Sequence, residues 1–142
     1  MLEGSITYRE TCNIPRDAIV RLCRENKWSA ADKPDELVQA LANSDCLISA
    51  WDGDLLVGLG NALSDGYLVV YYPHLLVSPQ YQRRGIGRRI MEIMQAKYKG
   101  IHQQVLLAVG SAVPFYEKCG FRHARTVKPM WIYDDYDLEP SA

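Results

Sequence analysis

A run of glycines and arginines at residues 82–89, Gln-Arg-Arg-Gly-Ile-Gly-Arg-Arg, has the composition of an anion-binding turn. An apolar stretch ending at Val77 predicts a strand before the run, and the periodic apolar residues that begin at Ile86 predict a helix after it. The first N–H groups of a helix have no partner inside the helix, and the helix dipole adds partial positive charge there. Because glycine has no Cβ, Gly85 and Gly87 would let a phosphate group approach this backbone closely.

Two common phosphate-binding motifs do not fit this run. A P-loop requires Gly-Lys followed by Ser or Thr, and no such tripeptide occurs in the sequence. The dinucleotide-binding fingerprint G-x-G-x-x-G would place its third glycine at position 90, which is Ile90. The pattern that is left is a strand, a Q-x-x-G-x-G turn and a helix.

Two segments carry a resemblance to one enzyme superfamily. Residues 77–91, which contain this turn, are similar to the motif that binds the pyrophosphate of acetyl-CoA in the GNAT superfamily of N-acetyltransferases. Residues 112–121, Ala-Val-Pro-Phe-Tyr-Glu-Lys-Cys-Gly-Phe, are similar to the short helix that follows the fifth strand in that superfamily. The two segments occur in the expected order, with room for one helix and one strand between them. The chain is therefore identified from its sequence as resembling a GNAT N-acetyltransferase.

The resemblance implies that acetyl-CoA is the cosubstrate and that no metal takes part. The backbone of the predicted strand would bind the pantetheine arm where that strand separates from its neighbour, and Pro73 fits such an irregularity because it lacks a ladder donor. The glycine-arginine turn would bind the pyrophosphate. The residues assigned to the cofactor in this way are Leu75, Leu76, Val77, Gln82, Arg83, Arg84, Gly85, Ile86, Gly87 and Arg88.

Two proton transfers are needed for the implied reaction, which moves an acetyl group from a thioester to an amine. A primary amine is mostly protonated at pH 7 and has to lose a proton, whereas the leaving thiolate has to gain one. Tyr116 matches the superfamily's tyrosine that protonates the sulfur, and a phenol can donate that proton. His74 is the candidate base, with a water relay as the alternative. Val109 stands where many relatives have an asparagine that contacts the cofactor or a relay water.

Aromatic and acidic residues are candidates for the acceptor site, because aromatic faces and carboxylates attract a cationic amine. The predicted acceptor-binding residues are Trp28, Tyr72 and Trp131, with Tyr72 expected on the same strand face as His74. Further candidates are Tyr67, Tyr71, Tyr133, Asp134, Asp135 and Asp137. The same residues are equally compatible with strand packing and a solvated loop, and both small amines and protein lysines stay open as acceptors.

Composition indicates one ordinary globular domain spanning residues 1–142. The chain is 48% hydrophobic and 23% charged, with a formal net charge of -1, so we expect neither nucleic acid nor a membrane as a partner. The four cysteines lack C-x-x-C spacing, and no signal peptide or membrane-spanning stretch is evident. These features favour a cytoplasmic location. The resemblance also suggests a homodimer formed through the C-terminal strands.

The predicted fold class is α/β (α+β), with a mixed, mostly antiparallel central sheet flanked by helices on both faces, as in the GNAT fold. Strands are predicted at residues 5–10, 46–51, 55–63, 67–77 and 105–109, with a final strand pair at residues 121–125 and 130–136. Helices are predicted at residues 15–26, 34–42 and 85–99 and around Tyr116. Asp52-Gly53 and Asp65-Gly66 predict hairpin turns.

Two functions are compatible with this sequence. The first is an active N-acetyltransferase that acts on a primary amine by direct attack. The second is a coenzyme A-sensing or scaffold module that keeps the cofactor site and has little or no turnover. The presence of Tyr116 favours the enzyme.

Overall fold

The computed structural model describes residues 5–133, which are organised around one five-stranded sheet. The elements in chain order are β1 (Thr7–Glu10), α1 (Arg16–Glu25), α2 (Pro34–Ala42), β2 (Cys46–Asp52), β3 (Leu55–Ser64), β4 (Val69–Val77), α3 (Ile86–Lys97), β5 (Gln103–Val105) and α4 (Val113–Lys118). Short 3-10 turns lie at Ser29–Asp32, Pro79–Tyr81 and Gly110–Ala112. None of the helices in the described range is long and apolar enough to span a lipid bilayer.

The strands lie side by side in chain order, with β1 to β4 antiparallel and β5 parallel to β4. Both predicted hairpin turns are present: Gly53 and Gly66 have positive φ angles of 60° and 83°, which glycine adopts without strain. The Asp65 carboxylate accepts hydrogen bonds from three backbone N–H groups of the second turn, and these bonds lower the pKa of Asp65. The predicted mixed sheet is therefore confirmed.

Helices cover both faces of the sheet and create two cores. On the α1/α2 face, Leu22 and Leu41 are buried together with Leu76 of β4. On the α3 face, Ile90 and Met94 are buried against the opposite sides of the same strands. Burial of these apolar stripes against the sheet provides the main driving force for this arrangement.

A β-bulge in β4 lies at Tyr72 and Pro73. Asn61 of β3 pairs with His74, whereas two residues further along β3 the pairing partner is Tyr71, so β4 has one residue more than β3 between these pairs. Proline is well placed in a bulge because it has no N–H to contribute to the ladder. One extra residue also reverses the alternation of side chains, so residues on the two sides of the bulge change faces.

Tyr72 and His74 consequently lie on opposite faces of the sheet. Tyr72 is buried on the α3 face, with its ring edge-on to Tyr98 and Phe121 at centroid distances of 6.2 and 6.1 Å. The His74 ring contacts Trp28, which packs on the α1/α2 face. The prediction that Tyr72 and His74 share a strand face is wrong, because it counted a regular alternation through the bulge.

Strand β5 is shorter than the predicted strand at residues 105–109. Its pairing with β4 ends where Val105 meets Tyr71, and beyond that point Leu107 and Val109 are 47% and 58% exposed. The prediction is wrong beyond Val105, because the bulge that follows Tyr71 in β4 interrupts the ladder that would have extended β5.

The predicted final strand pair is absent from the described residues. Residues 121–125, and the described part of residues 130–136, contain no strand. Met130 is 92% exposed and Ile132 is fully exposed, so these apolar side chains have no sheet to pack on within the described range. Arg125 has a positive φ angle of 59°, which breaks the extended backbone between the two predicted strands. Residues 134–136 lie outside the described residues.

Two glycines of β3 let α3 lie close to the sheet. A Cβ at Gly60 would come within 2.7 Å of Ile90 Cγ2 and 2.9 Å of Met94 Cε, which is well below a carbon–carbon contact distance. At Gly58 the shortest distance would be 3.2 Å. The methyl group of Ile90 is attached at the branched Cβ of a fully buried side chain, so it has little freedom to move away.

We expect Gly60→Ala to lower the free energy of unfolding by about 1–3 kcal/mol, because the added methyl group overpacks the α3 face. Gly58→Ala is the matched control, since it makes the same strand substitution with longer contacts. Urea denaturation followed by circular dichroism measures both variants. Equal effects of the two substitutions would show that the close approach of Ile90 does not limit the packing.

Candidate functional site

The sheet opens on one side of β4, beyond the end of its pairing with β5. That pairing ends at Tyr71, whereas β4 continues to Val77, so the second half of the strand has no partner strand on this side among residues 5–133. Leu75, Leu76 and Val77 lie in this open stretch, and their side chains are in the two cores. Apart from the Val77 carbonyl, which accepts from the Gln82 side chain, the backbone groups that face the open side have no partner strand and could hydrogen-bond an extended ligand.

The glycine-arginine turn connects this open strand to the start of α3. The helix begins at Ile86 after Gly85, which has a φ angle of 83°, and no side chain caps the first turn. Nothing lies within 4 Å of the position that a Cβ of Gly85 would occupy. Arg83, Arg84 and Arg88 have exposed side chains around this helix start. The uncapped first turn, the helix dipole and the arginines are the features that the predicted anion-binding site requires.

Gly87 differs from Gly85 in what surrounds it. A Cβ at Gly87 would lie 3.4 Å from Phe115 Cζ and 3.6 Å from Val77 Cγ2. Gly87 thus contributes to the contact between α3 and the ring of Phe115. Of these two glycines, Gly85 is the one with open space at its Cβ position. The start of α3 is therefore the point where the predicted cofactor turn meets helix α4.

Side chains of the turn hold it to the sheet. The Tyr81 hydroxyl donates a hydrogen bond of 2.6 Å to Asp52 Oδ2 at the end of β2, and this bond raises the pKa of Tyr81. The Arg84 guanidinium lies 5.0 Å from the centroid of the Tyr81 ring, a cation–π distance. The Gln82 amide donates to the Val77 carbonyl at 3.1 Å. These contacts fix the turn relative to the open strand.

Helix α4 places Tyr116 on the α3 face. The Gln95 side chain of α3 donates a 2.8 Å hydrogen bond to the Cys119 carbonyl, and the Tyr116 ring is edge-on to Phe115 and Phe121 at 5.0 and 6.1 Å. Burial raises the pKa of Tyr116 to about 12. Its hydroxyl is consequently protonated at neutral pH, which is the form that can donate a proton.

His74 is half-buried on the α1/α2 face. Asn61 Oδ1 accepts a hydrogen bond from the His74 backbone N–H at 3.0 Å and lies 3.1 Å from His74 Nδ1. The Trp28 ring lies 5.3 Å from the imidazole, and burial lowers the pKa of His74. Trp28 reaches this place because Lys27, with a φ angle of 58°, turns the chain at the end of α1 and lets the Trp28 N–H bond to the Cys23 carbonyl.

Of the three predicted acceptor residues, Trp28 is the one whose ring contacts His74. Tyr72 lies on the other face, where its hydroxyl donates a 2.7 Å hydrogen bond to Gln104 Oε1 and burial raises its pKa to about 12. A role for Tyr72 in acceptor binding stays a prediction, and its position in the core does not favour it.

Trp131 lies apart from these contacts. It is 58% exposed, and its ring contacts Tyr133 at 4.6 Å. Asp134, Asp135 and Asp137, the acidic candidates, lie outside the described residues. The structure therefore gives no support to an acceptor site at Trp131, and that assignment stays a prediction.

Sequence reasoning missed Asn61, which contacts His74 directly. A signal was available, because Asn61 is the one amide in the apolar stretch of residues 55–63. A regular hairpin would have paired Asn61 with Pro73, and the bulge is what brings His74 opposite to it.

The assembled site has an uncapped helix start, an open strand edge, a phenol on one face of the sheet and an imidazole on the other. These are features that binding of an extended, phosphate-bearing molecule and proton transfer in both directions would require. Among residues 5–133, no group of three or more His, Cys, Asp or Glu side chains is placed to bind a metal ion.

Comparison with known protein families shows which family this chain belongs to. Residues 14–129 match the family described as the acetyltransferase (GNAT) domain. The match spans most of the chain, which therefore belongs to the GNAT family of acetyltransferases. Membership of this family identifies the protein as an enzyme, an N-acetyltransferase. A comparison with curated proteins gives no match.

Solved structures share the fold. A GNAT family acetyltransferase of Streptococcus pneumoniae TIGR4 is 29% identical, with a TM-score of 0.77 over 92% of this chain and 100% of that one. A proposed acetyltransferase of Deinococcus radiodurans R1 is 22% identical, with a TM-score of 0.81 over 94% of this chain and 92% of that one. The aminoglycoside N-acetyltransferase AAC(6′)-Iy, solved with CoA, is 15% identical, with a TM-score of 0.69 over 94% and 96%. These likenesses confirm the predicted fold class.

The buried position of His74 predicts a pH-dependent contribution to stability. Its pKa in the folded protein lies below the ordinary value of 6.5, so the unfolded chain takes up a proton first as the pH falls. The contribution of neutral His74 to the free energy of unfolding is complete above pH 6.5. It is lost as the pH falls from there toward the pKa of His74 in the folded protein. We expect His74→Gln to reduce the loss of unfolding free energy between about pH 7.5 and about pH 5.5. Urea denaturation at both pH values measures this loss.

The matched control is His102→Gln, which replaces a histidine that is exposed in the loop before β5. This variant should retain the wild-type loss of stability between the two pH values. An unchanged loss in His74→Gln would mean that His74 titrates alike in the folded and unfolded chain.

Proposed function

We propose that this protein transfers the acetyl group of acetyl-CoA to a primary amine, either a small amine or a protein lysine or N-terminus, by direct attack. The observation that carries the proposal is the continuity of the site. The open stretch of β4 leads into the uncapped start of α3, and the helix that holds Tyr116 packs on that start through Phe115 and Gly87.

The residues present fit acetyl-CoA. An extended pantetheine arm needs backbone partners along an open strand edge, which β4 offers beyond Tyr71. A pyrophosphate needs unpaired N–H groups and close approach, which the uncapped helix start and the open space at Gly85 offer. The residues proposed to bind the cofactor are Leu75, Leu76, Val77, Gln82, Arg83, Arg84, Gly85, Ile86, Gly87 and Arg88.

Bound acetyl-CoA supplies the thioester whose acyl carbon the amine attacks. A carbon–nitrogen bond forms, the carbon–sulfur bond breaks, and one proton has to move from the nitrogen while another reaches the sulfur. Tyr116 is proposed to donate a proton to the leaving thiolate, since its phenol is protonated and lies next to Phe115, which contacts the start of α3 at Gly87. His74 is proposed to accept a proton from the amine, because burial keeps its imidazole neutral at pH 7.

The base and the acceptor site are proposed to lie together on the α1/α2 face. The Trp28 ring beside His74 offers an aromatic face to a cationic amine. Protonated amines of both small molecules and protein lysines satisfy this chemistry. Trp28 thus supports an amine acceptor without selecting between these two classes.

Gly85→Ala should raise the KM for acetyl-CoA by about tenfold, because a Cβ both strains the turn and keeps the pyrophosphate from its N–H donors, each bond to a charged group contributing about 1.5 kcal/mol. The matched control is Gly100→Ala at the other end of α3. Gly100 also has a positive φ angle, 89°, and open space at its Cβ position. It should lower stability similarly and leave KM unchanged. A similar KM in both variants would argue against pyrophosphate binding at Gly85.

Tyr116→Phe should lower kcat by at least about tenfold and change the KM for acetyl-CoA by less than about threefold, because it removes the proton donor and retains the ring. Thiol release from acetyl-CoA is measured with a panel of polyamines, arylalkylamines, amino acids, aminoglycosides and lysine peptides. The control is Tyr98→Phe, which removes a phenol on the α3 face at the opposite end of α3, where the hydroxyl donates to Asp45 Oδ2.

Three outcomes of this assay are informative. A lower kcat in Tyr116→Phe alone would support Tyr116 as the acid. If the rate constant of the chemical step, measured in the pre-steady state, is the same in Tyr116→Phe and the wild type, Tyr116 is not the acid. Binding of acetyl-CoA without turnover across the panel would favour a coenzyme A-sensing module over an enzyme that acts on these amines.

A further inference from the structure

A chain of hydrogen bonds runs from His74 into the protein. His74 Nδ1 lies 3.1 Å from Asn61 Oδ1, Asn61 Nδ2 donates to Ser44 Oγ at 2.9 Å, and the Ser44 hydroxyl donates to the Ala40 carbonyl at 3.0 Å. Asn61 and Ser44 are only 2% and 8% exposed. The chain links the open strand β4 to the C-terminal turn of α2, which lies on the α1/α2 face.

The two ends of this chain determine its direction. The Ala40 carbonyl can only accept, so the Ser44 hydroxyl donates to it and is left to accept from Asn61, which requires an N–H there. At the other end the His74 backbone N–H can only donate, so the Asn61 atom that it meets has to be oxygen. Both ends give the same amide orientation. Because Nδ1 of His74 faces that same oxygen, it has to carry a hydrogen.

We infer that Asn61 is a positioning residue, which holds neutral His74 as the Nδ1–H tautomer and so leaves Nε2 as the nitrogen with the free electron pair. A neutral imidazole carries one N–H, so fixing the hydrogen on Nδ1 determines which nitrogen accepts a proton. The assignment of the tautomer stands on the hydrogen bonds alone, whereas its value for catalysis depends on the proposed role of His74 as the base.

An amide suits this position better than a carboxylate or an apolar side chain. A carboxylate would place a charge in a buried site, and it would favour imidazolium over the neutral base. An apolar side chain would leave the His74 N–H and Nδ1–H without their acceptor. The Trp28 ring lies 5.3 Å from the imidazole, and a half-turn of the imidazole about its Cβ–Cγ bond would move Nδ1 away from Asn61 Oδ1 and put a carbon in its place. The His74 side chain is therefore contacted by Asn61 at Nδ1 and by the Trp28 ring.

The direct test is ¹⁵N NMR of the wild-type protein with labelled histidine, at a pH where His74 is neutral. Long-range ¹H–¹⁵N correlations distinguish a protonated Nδ1 from a protonated Nε2, and His74→Gln assigns the signals. We expect the proton on Nδ1. A proton on Nε2, or a mixture of both tautomers, would overturn the inference, and this readout requires neither a folded Asn61 variant nor any activity.

Substitutions test the consequence for the reaction. Asn61→Leu removes the acceptor and should lower kcat by at least about tenfold, with a mixed tautomer in the NMR spectrum. Asn61→Asp restores an acceptor for Nδ1–H and should return kcat to within about threefold of the wild type at a pH where its His74 is neutral. The control is Ser49→Ala, which removes a buried hydroxyl that accepts from Trp51 and donates to the Arg9 carbonyl on β1. It should lower stability and leave kcat unchanged.

The outcomes separate failure of this inference from failure of the proposed base. An Nδ1–H tautomer together with full activity in His74→Gln would remove His74 as the base and leave the positioning contact correct. A wild-type tautomer that persists in Asn61→Leu would show that Asn61 does not hold it. A loss of kcat in Asn61→Leu that Asn61→Asp fails to restore would overturn the role of the acceptor.

Discussion

The extra residue at Pro73 in β4 is the constraint on which the site depends. Proline cannot donate to the ladder, so the strand accommodates it as a bulge, and pairing with β5 ends directly before it at Tyr71. The same bulge reverses the alternation of side chains. His74 therefore faces α1 and α2, while the backbone beyond it is open along one edge. A regular strand would have buried this edge under β5 and turned His74 to the α3 face.

Close packing around α3 connects the bulge to the rest of the site. Gly58 and Gly60 allow Ile90 to approach β3, and this contact brings the start of α3 next to the open end of β4. Gly87 then admits the ring of Phe115, so α4 is held beside the same helix start. The glycine-arginine turn and the helix that carries Tyr116 are thus positioned by close contacts that are possible because glycine has no side chain. A sequence shows such glycines, but only the packed structure shows which neighbour each of them admits.

Much of the fold could be predicted from local signals. Apolar periodicity predicted the helices, and the Asp-Gly turns predicted the antiparallel strands, because both signals act within a few residues. The face of His74 could not be predicted, since it depends on the register across the bulge. The strands expected after Phe121 failed for a related reason. Apolar residues there indicate a tendency to pair, but the positive φ angle of Arg125 turns the backbone out of the extended conformation.

Desolvation adjusts both proposed proton-transfer groups in the same sense. Burial disfavours the charged form of any side chain, so it lowers the pKa of His74 and raises the pKa of Tyr116 to about 12. The neutral form of an imidazole is the base, and the neutral form of a phenol is the acid. One physical effect thus prepares opposite functions on the two faces of β4. The uncharged amide of Asn61 preserves this condition, because it orients the imidazole without introducing a charge that would raise its pKa.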